Sequence, residues 1–223
     1  MIIVSAIALS TGIAEAHISI NSGPAAANKS QKITFGVGHG CTGQDTIAIR
    51  IVIPTGVTGV RALKSDFGWP TYERDVAGAV TAVSWRKPVA QLAADDVNYY
   101  EVTIRARTPD APFTVLPFVV EQTCRNKMTG VETVVRWDDI EEEAPHLTIV
   151  PAKLGGWNKF TLGATTTITD EQLPVFFGDA LIVWRGTAAY SSNAETALLI
   201  AATPGVSALS GGLQPNDVVW VRY

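Results

Sequence analysis

The chain has 223 residues, 47% of them apolar and 17% charged, with a formal net charge of −4 and a pI near 5.4. That is the composition of a folded soluble protein; the acidic balance argues against nucleic acid as a partner and leaves a cation or a protein as the ligand. After the first 16 residues no apolar run approaches the ~18 residues of a membrane-spanning helix.

The chain opens on an apolar stretch, residues 1–13, followed by Ala14-Glu15-Ala16. Ala-x-Ala is the small-residue pattern a signal peptidase accepts, so residues 1–16 read as a signal peptide and the protein as periplasmic or secreted. The start, Met1-Ile2-Ile3-Val4, lacks the usual Lys or Arg, which leaves the position of the true start codon open. Cleavage after Ala16 makes His17 the first residue of the mature chain. A terminal histidine offers a metal two nitrogens, its free α-amine and its Nδ1, which close a six-membered chelate ring suited to Cu(II). The plain alternative is a surface histidine that happens to follow a cleavage site.

Period-two alternation then dominates up to about residue 150. Ile33, Phe35 and Val37 alternate with polar or small residues, and Ile47, Ile49, Ile51 and Ile53 line one face of a strand that stops at Pro54. Val102, Ile104 and Ala106 alternate with Glu101, Thr103, Arg105 and Arg107, a half-buried strand with a wet face. Residues 113–120, 133–137 and 146–150 read as further strands, with residues 126–130 as a hairpin loop. Short strands between Gly, Pro, Asn and Asp turns predict an all-β, antiparallel β-sandwich of immunoglobulin or cupredoxin type over residues 17–150. A boundary falls near residues 151–156. Residues 151–223 read as a smaller, mainly β extension of unknown role, with strands at 180–184 and 218–223. Residues 194–202 form either a short helix or another strand.

Cys41 and Cys124 are the only cysteines. In an exported chain they read first as one disulfide, closing a loop for which chain entropy predicts ~4 kcal/mol. A soft-metal site is the alternative, but neither has a Cys-x-x-Cys partner. The acidic run Asp138-Asp139 and Glu141-Glu142-Glu143 reads as a solvated turn, because it lacks the spacing of a calcium loop.

Little else carries chemistry. The histidines are His17, His39 and His146, with no His-x-x-x-His, no nucleophile elbow and no phosphate loop. The chain's two methionines exclude a multi-Met Cu(I) site. His39 sits in Gly38-His39-Gly40-Cys41, where the glycines let the backbone fold closely around its ring; ligand and ordinary strand-end histidine are both open. His146, at the head of a strand, reads as structural, and Trp137 as a half-buried strand residue.

His17-Ile18-Ser19-Ile20, Phe35-Gly36-Val37-Gly38-His39-Gly40-Cys41, residues 50–57, Phe67-Gly68-Trp69, Val83-Ser84-Trp85, Val120-Glu121-Gln122-Thr123-Cys124 and Val135-Arg136-Trp137 together resemble the YcnI-like family. These are exported bacterial proteins often encoded beside copper-handling genes, and the match runs from residue 17 to about 150. The resemblance implies a β-sandwich with a Cu(II) site called a monohistidine brace, built from the terminal histidine, a nearby carboxylate and a tryptophan close to the metal. His17 matches the brace histidine and Trp137 the tryptophan. The loop that supplies a glutamate in some members carries His39 here, which makes His39 the expected third ligand, with Asp45 and Glu121 as fallback acids.

The expectation is therefore a non-enzymatic Cu(II) metallochaperone or scavenger in bacterial copper homeostasis. Its partners would be the copper ion and a membrane copper transporter or another periplasmic copper protein. One rival is a copper-dependent oxygenase of the polysaccharide monooxygenase type, which also begins with a chelating histidine. The other is a metal-independent periplasmic interaction module acting through residues 151–223.

Overall fold

The computed structural model describes residues 17–41 and 43–223, so the leader expected at residues 1–16 lies outside the described residues. Among the described residues up to 150 there are twelve strands: β1 (Ile18–Ile20), β2 (Ala25–Ala26), β3 (Ser30–Val37), β4 (Thr46–Val52), β5 (Thr58–Ala62), β6 (Thr71–Arg74), β7 (Val80–Arg86), β8 (Tyr100–Arg107), β9 (Thr114–Pro117), β10 (Val120–Arg125), β11 (Glu132–Trp137) and β12 (His146–Val150). One sheet runs β1-β3-β8-β5 and a second β11-β10-β4-β7-β6, while β2-β12-β9 forms a small third sheet. Strand is the main regular structure among the described residues, and the fold is a β-sandwich.

The alternation read from sequence explains why. In β3 and β8 the inward positions are Ile33, Phe35, Val37, Val102, Ile104 and Ala106; in the second sheet they are Ile49, Ile51, Val83, Trp85 and Val120. All belong to one buried cluster, and a one-residue slip in any of these strands would turn its apolar set to water. Phe35 and Phe118 meet edge to face at 5.2 Å inside it. The Cys41–Cys124 disulfide is present, tying the loop before β4 to the end of β10.

Residues 113–120 are not one strand. Pro117 has no N–H to continue a ladder, and the buried Phe118 turns the chain from β9, which pairs with β12, to β10, which pairs with β4.

After residue 150 follow β13 (Trp157–Thr161), α1 (Leu173–Phe177), β14 (Ile182–Arg185), β15 (Ala188–Tyr190), α2 (Ala194–Ala202), β16 (Ser207–Ala208) and β17 (Val218–Arg222). The sheet order is β13-β17-β14-β15-β16. Residues 194–202 are helix: the Asn193 side chain accepts from the Thr196 N–H at 3.0 Å, an N-cap that starts the turn. The second core gathers Leu162, Leu173, Phe176, Phe177, Val183, Val219 and Val221, and it draws in Phe113 and Val150 from the sandwich side. The Phe113 ring lies 5.6 to 5.9 Å from those of Phe160, Phe176 and Phe177.

Candidate metal centre

Strand pairing delivers His17 to its place. Ile18 pairs with Val37, so His17 lies one step further along the ladder, beside Gly38. A Cβ on Gly38 would stand 3.9 Å from the His17 carbonyl oxygen, so backbone meets backbone here. From the other sheet, β11 ends at Trp137, paired with Val120 and almost fully buried. The rings of His17 and Trp137 meet edge-on, with centroids 6.1 Å apart and planes at 67°. The buried indole Nε1 of Trp137 has no hydrogen-bond acceptor among the described residues.

Immediately after Trp137 the chain makes a turn that its own aspartates hold. Asp138 Oδ1 accepts from the N–H groups of Ile140 and Glu141 at 3.0 and 3.1 Å, and Oδ2 accepts from Arg136 Nε at 2.6 Å. These contacts, the Glu141 N–H foremost, hold the Asp138 carboxyl below the usual carboxylate range. Asp139 takes a positive φ of 64°; its Oδ1 accepts from the Ala144 N–H at 2.9 Å and its Oδ2 lies 3.1 Å from His146 Nε2. The run is thus the turn expected from sequence, and it also has an address.

Glu141, Glu142 and Glu143, with Asp139 and Ile140, line an open groove of about 390 Å³ whose remaining wall is His17. A smaller hollow on the other side of His17, about 240 Å³, is lined by Ile18, Ser19, Ile20, Glu143, Ala144, Pro145 and His146.

The other candidates sit elsewhere in the network. His39 Nδ1 lies 2.8 Å from the Gly40 carbonyl oxygen and 3.4 Å from Asp96 Oδ2, and its own carbonyl accepts from Gln122. Asp45 is buried and occupied: Oδ2 accepts from Lys87 Nζ and the Ala93 N–H, each at 2.7 Å, and Oδ1 from Tyr100 at 2.8 Å. Glu121 lies between Arg50 at 3.2 Å and Arg136 at 3.4 Å.

The structure therefore brings His17 and Trp137 together and ties Asp45 and Glu121 to cations. Sequence reasoning missed the proximity of Glu141–Glu143 and His146 to His17. The available signal was order: five acids fall within the six residues that follow Trp137.

Among the described residues no three His, Cys, Asp or Glu side chains form a group able to hold a metal ion. A preassembled cage is thus not what these side chains offer. They would fit a metal taking two nitrogens from His17, were it the first residue of a processed chain, with carboxylate oxygens alongside, because His17 is exposed and its groove is lined by acids.

Among solved structures the chain is similar to an uncharacterized protein from Nocardia farcinica described as having an immunoglobulin-like fold. Identity is 20% and the TM-score 0.50, over 60% of this chain and 97% of that one, a likeness of fold alone. Looser likenesses carry no argument. One is to BcpA, the major pilin subunit of Bacillus cereus, at 8% identity and TM-score 0.36 over 92% of this chain and 54% of that one. Another is to a C-terminal fragment of the major pilin GBS80 of Streptococcus agalactiae, at 11% identity and TM-score 0.34 over 91% and 75%. No curated protein matches the chain. The family model described as Domain of unknown function (DUF1775) matches residues 17–154, from His17 through the whole sandwich and over more than half of the chain. The chain belongs to the DUF1775 family, the domain that YcnI-like proteins carry.

Proposed function

We propose that this chain is an exported Cu(II)-binding protein of bacterial copper homeostasis, a metallochaperone or scavenger and not an enzyme, working in the periplasm or outside the cell. The observation that supports it most is the contact of His17 with Trp137 at the wall of an acidic groove. While residues 1–16 are attached, the nitrogen of His17 is an amide and a poor donor. Removal of the leader turns it into an amine that chelates together with Nδ1. The third donor is sought first among Glu141, Glu142 and Glu143, which share the groove with His17; His39 is the alternative nitrogen.

Bound copper supplies a charge to be carried and handed on. The residues hold it, screen it from water and govern its release. The Trp137 ring stands against that of His17 in a T-shaped contact and limits access of water and reductant from that side. The α-amine, with an ordinary pKa of about 8, must lose its proton to bind, so affinity falls as pH drops. The Cys41–Cys124 disulfide fits an oxidising compartment. A membrane copper transporter or another periplasmic copper protein would complete the route.

Mass spectrometry and metal assay of protein recovered from the export compartment of copper-replete cells test this. The expected result is a mature chain that starts at His17 and carries close to one copper. A retained leader, or a copper-free chain, contradicts it. Oxidised oligosaccharides released from chitin or cellulose with ascorbate and peroxide would replace the binding protein with an oxygenase.

A further inference from the structure

One face of the C-terminal sheet lies open over β13 and β17, while α2 packs at its β15–β16 end, where Ala189 is buried. In β17 the outward positions are Val218, Trp220 and Arg222, alternating with the buried Val219 and Val221. Register places Trp157, Lys159 and Thr161 of β13 beside them on one flank, and Ile182 and Trp184 of β14 on the other. Directly paired residues of antiparallel strands point to the same side, so three tryptophans share this face. Trp184 stands opposite Trp220, and Trp157 is one diagonal step away. Trp157 and Trp220 are 49% and 46% exposed, a large aromatic surface to leave in water. At the Trp157–Arg222 end, Leu154 and Leu181 are more than half exposed as well.

Cations are interleaved with the rings. Lys159 Nζ lies 5.9 Å from the centroid of Trp220, and Arg222 Cζ 5.9 Å from that of Trp157. None of the outward strand positions is Asp or Glu, although the chain as a whole carries a net charge of −4. The face is therefore locally cationic on an acidic protein, and it complements an anionic surface.

We infer that this face docks the protein onto an anionic membrane. Indoles are amphipathic and settle at headgroup depth, where their apolar bodies enter and their N–H groups stay wet. The long stems of Lys159 and Arg222 let their charges reach lipid phosphates while their methylenes lie along the rings. Cations standing over two of the rings close those faces to stacking sugars, and exposed aliphatics such as Leu154 and Leu181 match acyl chains better than hydroxyls. The inference is independent of copper.

Co-sedimentation of the copper-free mature protein with vesicles tests it, using phosphatidylglycerol and phosphatidylcholine in equal parts against phosphatidylcholine alone. Binding is expected to the anionic vesicles only, and to weaken with salt. Each cation near such a surface is worth about fivefold in affinity, so Lys159→Gln with Arg222→Gln should weaken binding about thirtyfold. Trp157→Ser with Trp220→Ser should abolish it. If the tryptophan pair fails to fold, the charge pair, whose side chains are in water, decides. Equal binding to both vesicles, no binding to either, or retention on chitin, cellulose or peptidoglycan that the tryptophan variant loses, overturns the membrane assignment.

Discussion

Replacing Lys87 by Met leaves the Asp45 carboxylate buried without its cation. The Lys87 and Asp45 side chains are 3% and 1% exposed, with Nζ 2.7 Å from Oδ2. Nζ also donates to the Tyr100 hydroxyl at 2.6 Å, and it lies 4.1 Å from the Tyr100 ring centroid and 5.4 Å from that of Phe67. Met keeps most of the stem packing, so the loss is mainly that of a charge in a dry site. Breaking a buried pair by removing one partner costs about 3 to 5 kcal/mol. At this chain length that lowers Tm by roughly 10 °C. Asp45→Asn should cost a similar amount, and the double variant clearly less than the sum of the two. Urea unfolding followed by circular dichroism, with calorimetry beside it, measures all three. A loss below about 1 kcal/mol for Lys87→Met, or additive losses, would refute the reasoning. The same series bears on the site: because both Asp45 oxygens are taken, Asp45→Asn should leave Cu(II) affinity unchanged.

The native exported protein should show no free thiol, and Cys41→Ser with Cys124→Ser should cost about 4 kcal/mol, since the bridge spans a sequence separation of 83 residues. Glu132 is held below the usual carboxylate range, first by its hydrogen bond to Arg86 and then by Arg125. A depressed pKa adds stability above the unfolded value of about 4.5 and loses it as pH falls through the folded value. Glu132→Gln should therefore cost under about 1 kcal/mol at pH 7, as expected of a partly exposed pair, and the cost should shrink as pH falls below about 4.5. In Cu(II) paramagnetic resonance, His39→Ala should keep the nitrogen couplings of the parent while Glu143→Gln perturbs the spectrum. Loss of one nitrogen coupling in His39→Ala would instead make the histidine the third donor.

Strands with one face in a core were legible because burial writes a period of two into them. β3, β4, β8 and β12 fell where the alternation put them. Strand β6 was invisible for the converse reason: Thr71, Tyr72, Glu73 and Arg74 are all exposed, so no alternation records it. The break between β9 and β10 was hidden because residues on both sides of Pro117 are apolar, and only the choice of partner strand separates them. The disulfide followed from there being two cysteines and no more. At the candidate site, the Ala-x-Ala pattern singled out His17 and resemblance alone singled out Trp137; the structure brings their rings together. The acidic loop was read correctly as a turn. Its position against His17 depends on the end of β11 meeting the start of β1, edge strands of two different sheets, a tertiary fact with no local signature.

Copper binding is proposed to rest on His17 as a terminal residue. Cu(II) titration by calorimetry, comparing the chain that begins at His17 with one that keeps Ala16 in front of it, tests this most directly. Both share the sandwich, Trp137, the disulfide and the acidic groove, and they differ only in whether the His17 nitrogen is an amine or an amide. The expected result is one tight Cu(II) site in the first and a loss in the second as large as that of His17→Ala. Equal affinity in the two would contradict it and place the copper site away from His17.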